Sequence, residues 1–108
     1  MTEEVDEFLA AFHSKMNIWD VVFNDDRGKN IQALLDLEIT PVYRKKILSA
    51  IERIDYSQGP NIDNQWVFGK MVNGTEVYIK IALGFPGTST ICISFHPAER
   101  QMTYPLKQ

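Results

Sequence analysis
Residues 66–83 read Trp-Val-Phe-Gly-Lys-Met-Val-Asn-Gly-Thr-Glu-Val-Tyr-Ile-Lys-Ile-Ala-Leu, and the Asn73-Gly74 pair at their centre decides the fold. Both central positions of a type I′ turn need positive φ, which Asn and Gly accept, so the dipeptide predicts a two-residue β-hairpin joining strands at 66–72 and 75–83. In the second strand Val77, Ile79, Ile81 and Leu83 share one parity while Tyr78 and Lys80 take the other, which sets a core face and a polar face. Counting back from the turn, Val72 faces Thr75, Gly69 faces Tyr78, Val67 faces Lys80 and Gln65 faces Ala82. Trp66 and Phe68 then join Ile79 and Ile81 on the core face, and Gln65 joins the polar one. Lys70, opposite Val77, lies near the hairpin end, where a long side chain reaches water. Gly69 leaves open space beside the Tyr78 ring, room for a base to stack.

Working outward, Pro86 and Gly87 mark the next turn, 90–95 is a third strand, and His96-Pro97 ends it because proline cannot donate to a ladder. The same period of two puts Ile91, Ile93 and Phe95 in the core and Cys92, Ser94 and His96 opposite. Tyr78, Lys80, Ser94 and His96 are thus expected on one exposed sheet face. The tail to residue 108 carries Met102, Tyr104 and Leu106 and is expected to pack. Upstream, Val5, Phe8, Leu9 and Phe12 follow helical spacing behind an acidic first turn, predicting a helix over 3–14. Residues 17–23 read as an edge strand closed by Asn24-Asp25-Asp26-Arg27-Gly28. Ile31, Leu34 and Leu35 suggest a short helix from near Lys29. Thr40-Pro41 is a cap followed by a first-turn proline, opening a helix over 41–54 with Val42, Ile47, Leu48, Ile51 and Ile54 inside and Arg44, Lys45, Glu52 and Arg53 outside. Residues 55–64 read as loop. The expected fold class is α+β, with N-terminal helices packed on a C-terminal antiparallel β-meander, in one domain over 1–108.

A chain of 108 residues with 44% hydrophobic content supports one modest core. The formal charge is −3. The first 60 residues hold eleven acids against seven bases, net −4, and the last 48 hold three acids against four bases, net +1. That balance argues against a broad electrostatic grip on nucleic acid but leaves room for a local site. Cys92 is the lone cysteine, so no intrachain disulfide or cysteine zinc site can form, which suits a reducing cytosol. Short apolar runs and an acidic start point to a cytoplasmic chain without membrane contact.

The sequence has no phosphate-binding loop, dinucleotide fingerprint, His-Glu-x-x-His or Gly-x-Ser-x-Gly. Its only histidines are His13 and His96. Catalysis without metal or cofactor is the enzymatic reading left. RNA cleavage can run that way: the substrate supplies its own 2′-OH nucleophile, and the protein accepts that proton, stabilises the crowded phosphate and protonates the leaving 5′ oxygen. Tyr78, Lys80 and His96 suffice for those tasks. A half-exposed sheet is polar on its outer face by default, so the same group also fits a non-catalytic protein- or RNA-binding domain. The Arg44-Lys45-Lys46 run reads as a solvated helix face, Cys92 as a bystander thiol and His13 as a surface residue.

Val77-Tyr78-Ile79-Lys80-Ile81, followed by Ile93-Ser94-Phe95-His96, resembles the C-terminal half of the MqsR (motility quorum-sensing regulator) toxin family, within the RelE-like ribonuclease toxins of bacterial type II toxin–antitoxin systems. Ile54-Asp55-Tyr56-Ser57 and Trp66 add to the likeness, which spans about residues 39–96. The resemblance implies a RelE-like α+β fold, messenger RNA cleavage by 2′-OH attack without metal, and a cognate antitoxin as partner, with neither DNA nor membrane as a direct target. By position, Tyr78 matches the family's strand tyrosine at the scissile phosphate and Lys80 the lysine two residues on. His96 stands where the best-known member has lysine, which transfers proton exchange to an imidazole. The family's glutamine follows its tryptophan, whereas Gln65 precedes Trp66, and Gln58 stands near a missing lysine. The expected site is therefore catalytic His96, Tyr78 and Lys80, with Arg100 as phosphate ligand, Tyr104 as stacking partner, and Gln65 and Lys70 on the RNA.

Overall fold
A computed structural model describes residues 1–107. Three helices, α1 (Thr2–Trp19), α2 (Gly28–Asp36) and α3 (Pro41–Ser49), accompany strands β1 (Val21–Phe23), β2 (Tyr56–Gln58), β3 (Trp66–Val72), β4 (Thr75–Ala82) and β5 (Thr90–Pro97). The sheet order is β1-β5-β4-β3-β2, parallel only between β1 and β5. The fold is thus the expected α+β arrangement with a β3–β4–β5 meander at its centre. No helix among the described residues is long and apolar enough to cross a membrane.

The hairpin forms as its turn dictates. Asn73 and Gly74 have φ of 50° and 83°, and the register pairs Val72 with Thr75, Gly69 with Tyr78 and Val67 with Lys80. Trp66, Phe68, Ile79 and Ile81 fill the core face, where Phe8 of α1 stacks on Trp66 at 4.7 Å and on Phe68 at 6.1 Å between ring centroids. α1 runs longer than 3–14 because its buried stripe, Val5, Phe8, Leu9, Phe12 and Met16, continues one turn further. Asn17, Ile18 and Trp19 are helical rather than extended. The helix ends at Asp20, φ 70°, and only Val21–Phe23 make the edge strand.

Two other helix readings change. α2 buries Asn30 and Ala33, not Ile31 and Leu35, which are exposed. α3 stops at Ser49, and Arg53–Asp55 form a short 3-10 turn. Thr40 Oγ1 does accept from the Tyr43 N–H at 3.1 Å, as a cap before Pro41 should. Arg44 takes the inward position at helical spacing from Ile47, Leu48 and Ile51, while Val42 and Ile54 face solvent. The basic run is therefore not wholly solvated. Tyr56–Gln58, read as loop, forms strand β2 against β3. His13 is half-buried and bonds through Nε2 to the Leu48 carbonyl at 3.0 Å, tying α1 to the end of α3.

β5 departs from simple alternation. Lys80 pairs with Ser94 but Ile81 pairs with Cys92, so Ile93 is an extra residue, a β-bulge. The parity expected from the sequence holds from His96 to Ser94 and inverts before it. Cys92 enters the core with no exposed surface, and Ile91 and Ile93 are only half-buried. Burial pushes the Cys92 thiol well above its ordinary pKa, which leaves it an inert core side chain.

β1 covers the outer edge of β5 only as far as Cys92. Beyond it the buried Asn30 amide substitutes for a strand. Its Nδ2 donates to the Ile93 and Asn24 carbonyls at 2.9 and 2.7 Å, and its Oδ1 accepts from the Phe95 N–H at 3.0 Å. Asn30→Leu, similar in size but unable to pair, leaves these buried backbone groups unsatisfied. Urea unfolding is expected to show a loss of about 1–3 kcal/mol. Asn30→Asp should not rescue it, since a carboxylate cannot donate to the two carbonyls.

A candidate active-site cleft on the polar face of the sheet
The meander register sets two adjacent rungs on the face away from α1. Tyr78 pairs with His96, and Lys80 pairs with Ser94. These four residues line a cleft of about 450 Å³, walled on one side by Arg100 and the tail that follows it. Arg27 and Lys29 enter from the loop between β1 and α2 and from the first turn of α2. The cleft therefore gathers Arg27, Lys29, Lys80 and Arg100 against one acid, Glu99, within a chain of net charge −3. Lys29 Nζ meets Glu99 Oε2 at 2.9 Å, joining α2 to the tail across the opening. The Lys29 ammonium, through this hydrogen bond, holds the Glu99 carboxyl below its ordinary range.

The Tyr78 and His96 rings stack, with centroids 5.4 Å apart and planes at 15°. His96 is 6% exposed, and its Nδ1 lies 2.9 Å from the Pro97 carbonyl. A carbonyl can only accept, so that contact places the proton of the neutral ring on Nδ1 and leaves the Nε2 lone pair as the base. Ser94, 2% exposed, accepts at Oγ from Arg27 Nη1 at 3.0 Å.

Four of the seven residues expected at the site, Tyr78, Lys80, His96 and Arg100, meet in this cleft. Three do not. Lys70 instead pairs with Asp55 at 2.9 Å and is 23% exposed, binding β3 to the 3-10 turn. Gln65 lies just before β3, where its Oε1 accepts from Asn61 Nδ2 at 3.0 Å and its N–H donates to Asn61 Oδ1 at 2.9 Å, within the loop that precedes the strand. Tyr104 occupies the space over Gly69 that looked open to a base. A Cβ at position 69 would stand 2.1 Å from the Tyr104 hydroxyl and 2.8 Å from ring carbons, so glycine is what admits the ring. The hydroxyl donates to Glu76 at 2.7 Å, latching the tail to β4. Ser57, Gln58 and the two α2-end cations belong to the cleft and were not expected there. Arg27 sits in a plain turn signal, and only the parallel pairing of β1 with β5 carries it to Ser94, a relation no local pattern encodes.

The latch has a pH signature. Burial first, then the hydrogen bond to Glu76, raises the Tyr104 phenol above its ordinary value of 10.0. A raised folded-state pKa means its stabilisation is complete below pH 10 and is lost as pH climbs through the folded value. Wild-type thermal stability is therefore expected to fall on alkaline titration by a component absent from Tyr104→Phe. Equal alkaline slopes for the two proteins would disprove the latch.

Comparison of the chain with protein-family models, curated proteins and solved structures returned no match.

Proposed function
We propose that this chain is a metal-independent endoribonuclease of the MqsR and RelE-like type, the toxin of a bacterial toxin–antitoxin pair acting on messenger RNA in the cytoplasm. The observation that carries the reading is the convergence in one cleft of a base, a phenol and two cations, His96, Tyr78, Lys80 and Arg100, the cations having no carboxylate partner among the described residues. In this mechanism His96 Nε2 takes the 2′-OH proton as that oxygen attacks phosphorus. Lys80 and Arg100 bear the charge gathering on the non-bridging oxygens. The P–O5′ bond breaks, the Tyr78 hydroxyl protonates the leaving oxygen, and the imidazolium beside it restores the phenol. One proton has then moved from the 2′ to the 5′ oxygen, and the other product is a 2′,3′-cyclic phosphate.

The antitoxin is expected to cover or distort the Tyr78, Lys80 and His96 face. Induction of the wild type in a bacterial host should arrest growth and fragment messenger RNA, and His96→Ala at equal protein level should do neither. A harmless wild type with intact RNA would favour the binding-only reading of the same fold. Toxicity in both would move proton transfer away from His96.

A further inference from the structure
The cleft holds more positive charge than the proton transfers use. Arg27 lines it and, among the described residues, has no carboxylate partner; its one side-chain bond is to Ser94 Oγ. Its backbone is nonetheless well fixed. Two residues before it, Asp25 is gripped by both terminal nitrogens of the buried Arg44, at 2.9 and 3.0 Å. Three residues after it, the Asn30 amide is bonded to β5. An arginine held this way presents a planar fork suited to two phosphate oxygens at little cost in lost freedom.

The two rungs give the spacing. Tyr78 and His96 form one, and Lys80 and Ser94, with Arg27 bonded to the serine, form the next. They lie two residues apart along the strands, about 7 Å, comparable to the separation of neighbouring phosphates in an extended single strand. All the proton-transfer groups sit on the first rung. The second carries two cations and a hydroxyl, which bind anions but move no protons in the reaction.

We propose that Arg27 and Ser94 form a second phosphate subsite, with Lys80 between it and the scissile position, so that the ligand is single-stranded RNA held through two consecutive phosphodiesters. The proposal rests on the ribonuclease reading for the identity of the first position.

The test uses the full chain and non-cleavable 2′-O-methyl uridylates, a dimer with one phosphodiester and a trimer with two. Affinity is measured against salt for wild type, Arg27→Ala and Arg27→Lys. Each neutralised phosphate of a single strand contributes about 0.7 to the slope of log affinity on log salt. Arg27→Ala should flatten the trimer slope by about that amount and leave the dimer slope unchanged, and Arg27→Lys should restore the trimer slope. Equal weakening of dimer and trimer would place Arg27 at the scissile phosphate and overturn the subsite, as would no change in either. A wild type that cleaves RNA with slopes indifferent to Arg27 defeats the subsite alone. The expected slopes in a protein that leaves RNA intact would support the two-phosphate subsite while removing the ribonuclease reading.

Discussion
Purified protein carrying His96→Asn is expected to cleave RNA about 10²–10⁴-fold more slowly than the wild type, the usual contribution of a positioned acid or base. Its melting temperature should stay close to the wild-type value. His96 is nearly buried and bonded to its neighbour's carbonyl, so truncation to alanine alone would confuse lost chemistry with lost packing. The asparagine amide keeps a donor for the Pro97 carbonyl but carries no nitrogen that exchanges a proton near neutral pH. Tyr78→Phe separates the second role, because phenylalanine preserves the stack on the imidazole and removes only the hydroxyl. Wild-type products should end in 2′,3′-cyclic phosphates at a rate that chelators do not alter. A His96→Asn protein as fast as the wild type would refute the role given to the imidazole.

The hairpin and its polar face were legible because Asn-Gly leaves one register open, and alternation then carries Tyr78 and Lys80 to the same side without further information. The face of β5 was only half legible. Ile91, Cys92 and Ile93 are all apolar, so alternation cannot reveal that one of them is a bulge, and the inversion at Ile93 sent Cys92 into the core. His96 and Ser94 lie beyond the bulge and kept their expected face.

The misses share a cause in non-local contact. Gly69 looks like a vacancy until a tail residue 35 positions later fills it, and Lys70 looks free until the 3-10 turn brings Asp55 beneath it. Arg44 reads as outward because it is polar, and Asn30 carries no signal in the helical pattern, yet each satisfies a partner that only the folded sheet or loop supplies. The same blindness hid Arg27. The resulting cleft is positive although the chain is acidic, since its four cations come from three segments, the start of α2, β4 and the tail, and Glu99 is the one acid in its lining.

Asp25→Ala is expected to destabilise the protein by about 3–5 kcal/mol, more than removal of its partner Arg44. The asymmetry follows from burial: the Arg44 side chain is 5% exposed and that of Asp25 34%. Without Asp25 the guanidinium remains inside, its central carbon 3.6 Å from the centroid of the Phe23 ring and its Nε already without a partner. Without Arg44 the carboxylate simply turns to water, and in Arg44→Met an apolar chain still covers Phe23. Urea unfolding should therefore rank Arg44→Met above Asp25→Ala in stability. The double variant should lie near Arg44→Met, because it leaves no charge stranded. The opposite order would mean that the packing of the arginine stem, not its charge, holds the site together. Because Asp25 also fixes the loop that presents Arg27, Asp25→Ala should weaken binding of the uridylate trimer toward the level of Arg27→Ala at temperatures where the variant remains folded. In that sense an ion pair with one buried partner sets the position of a cation in the cleft.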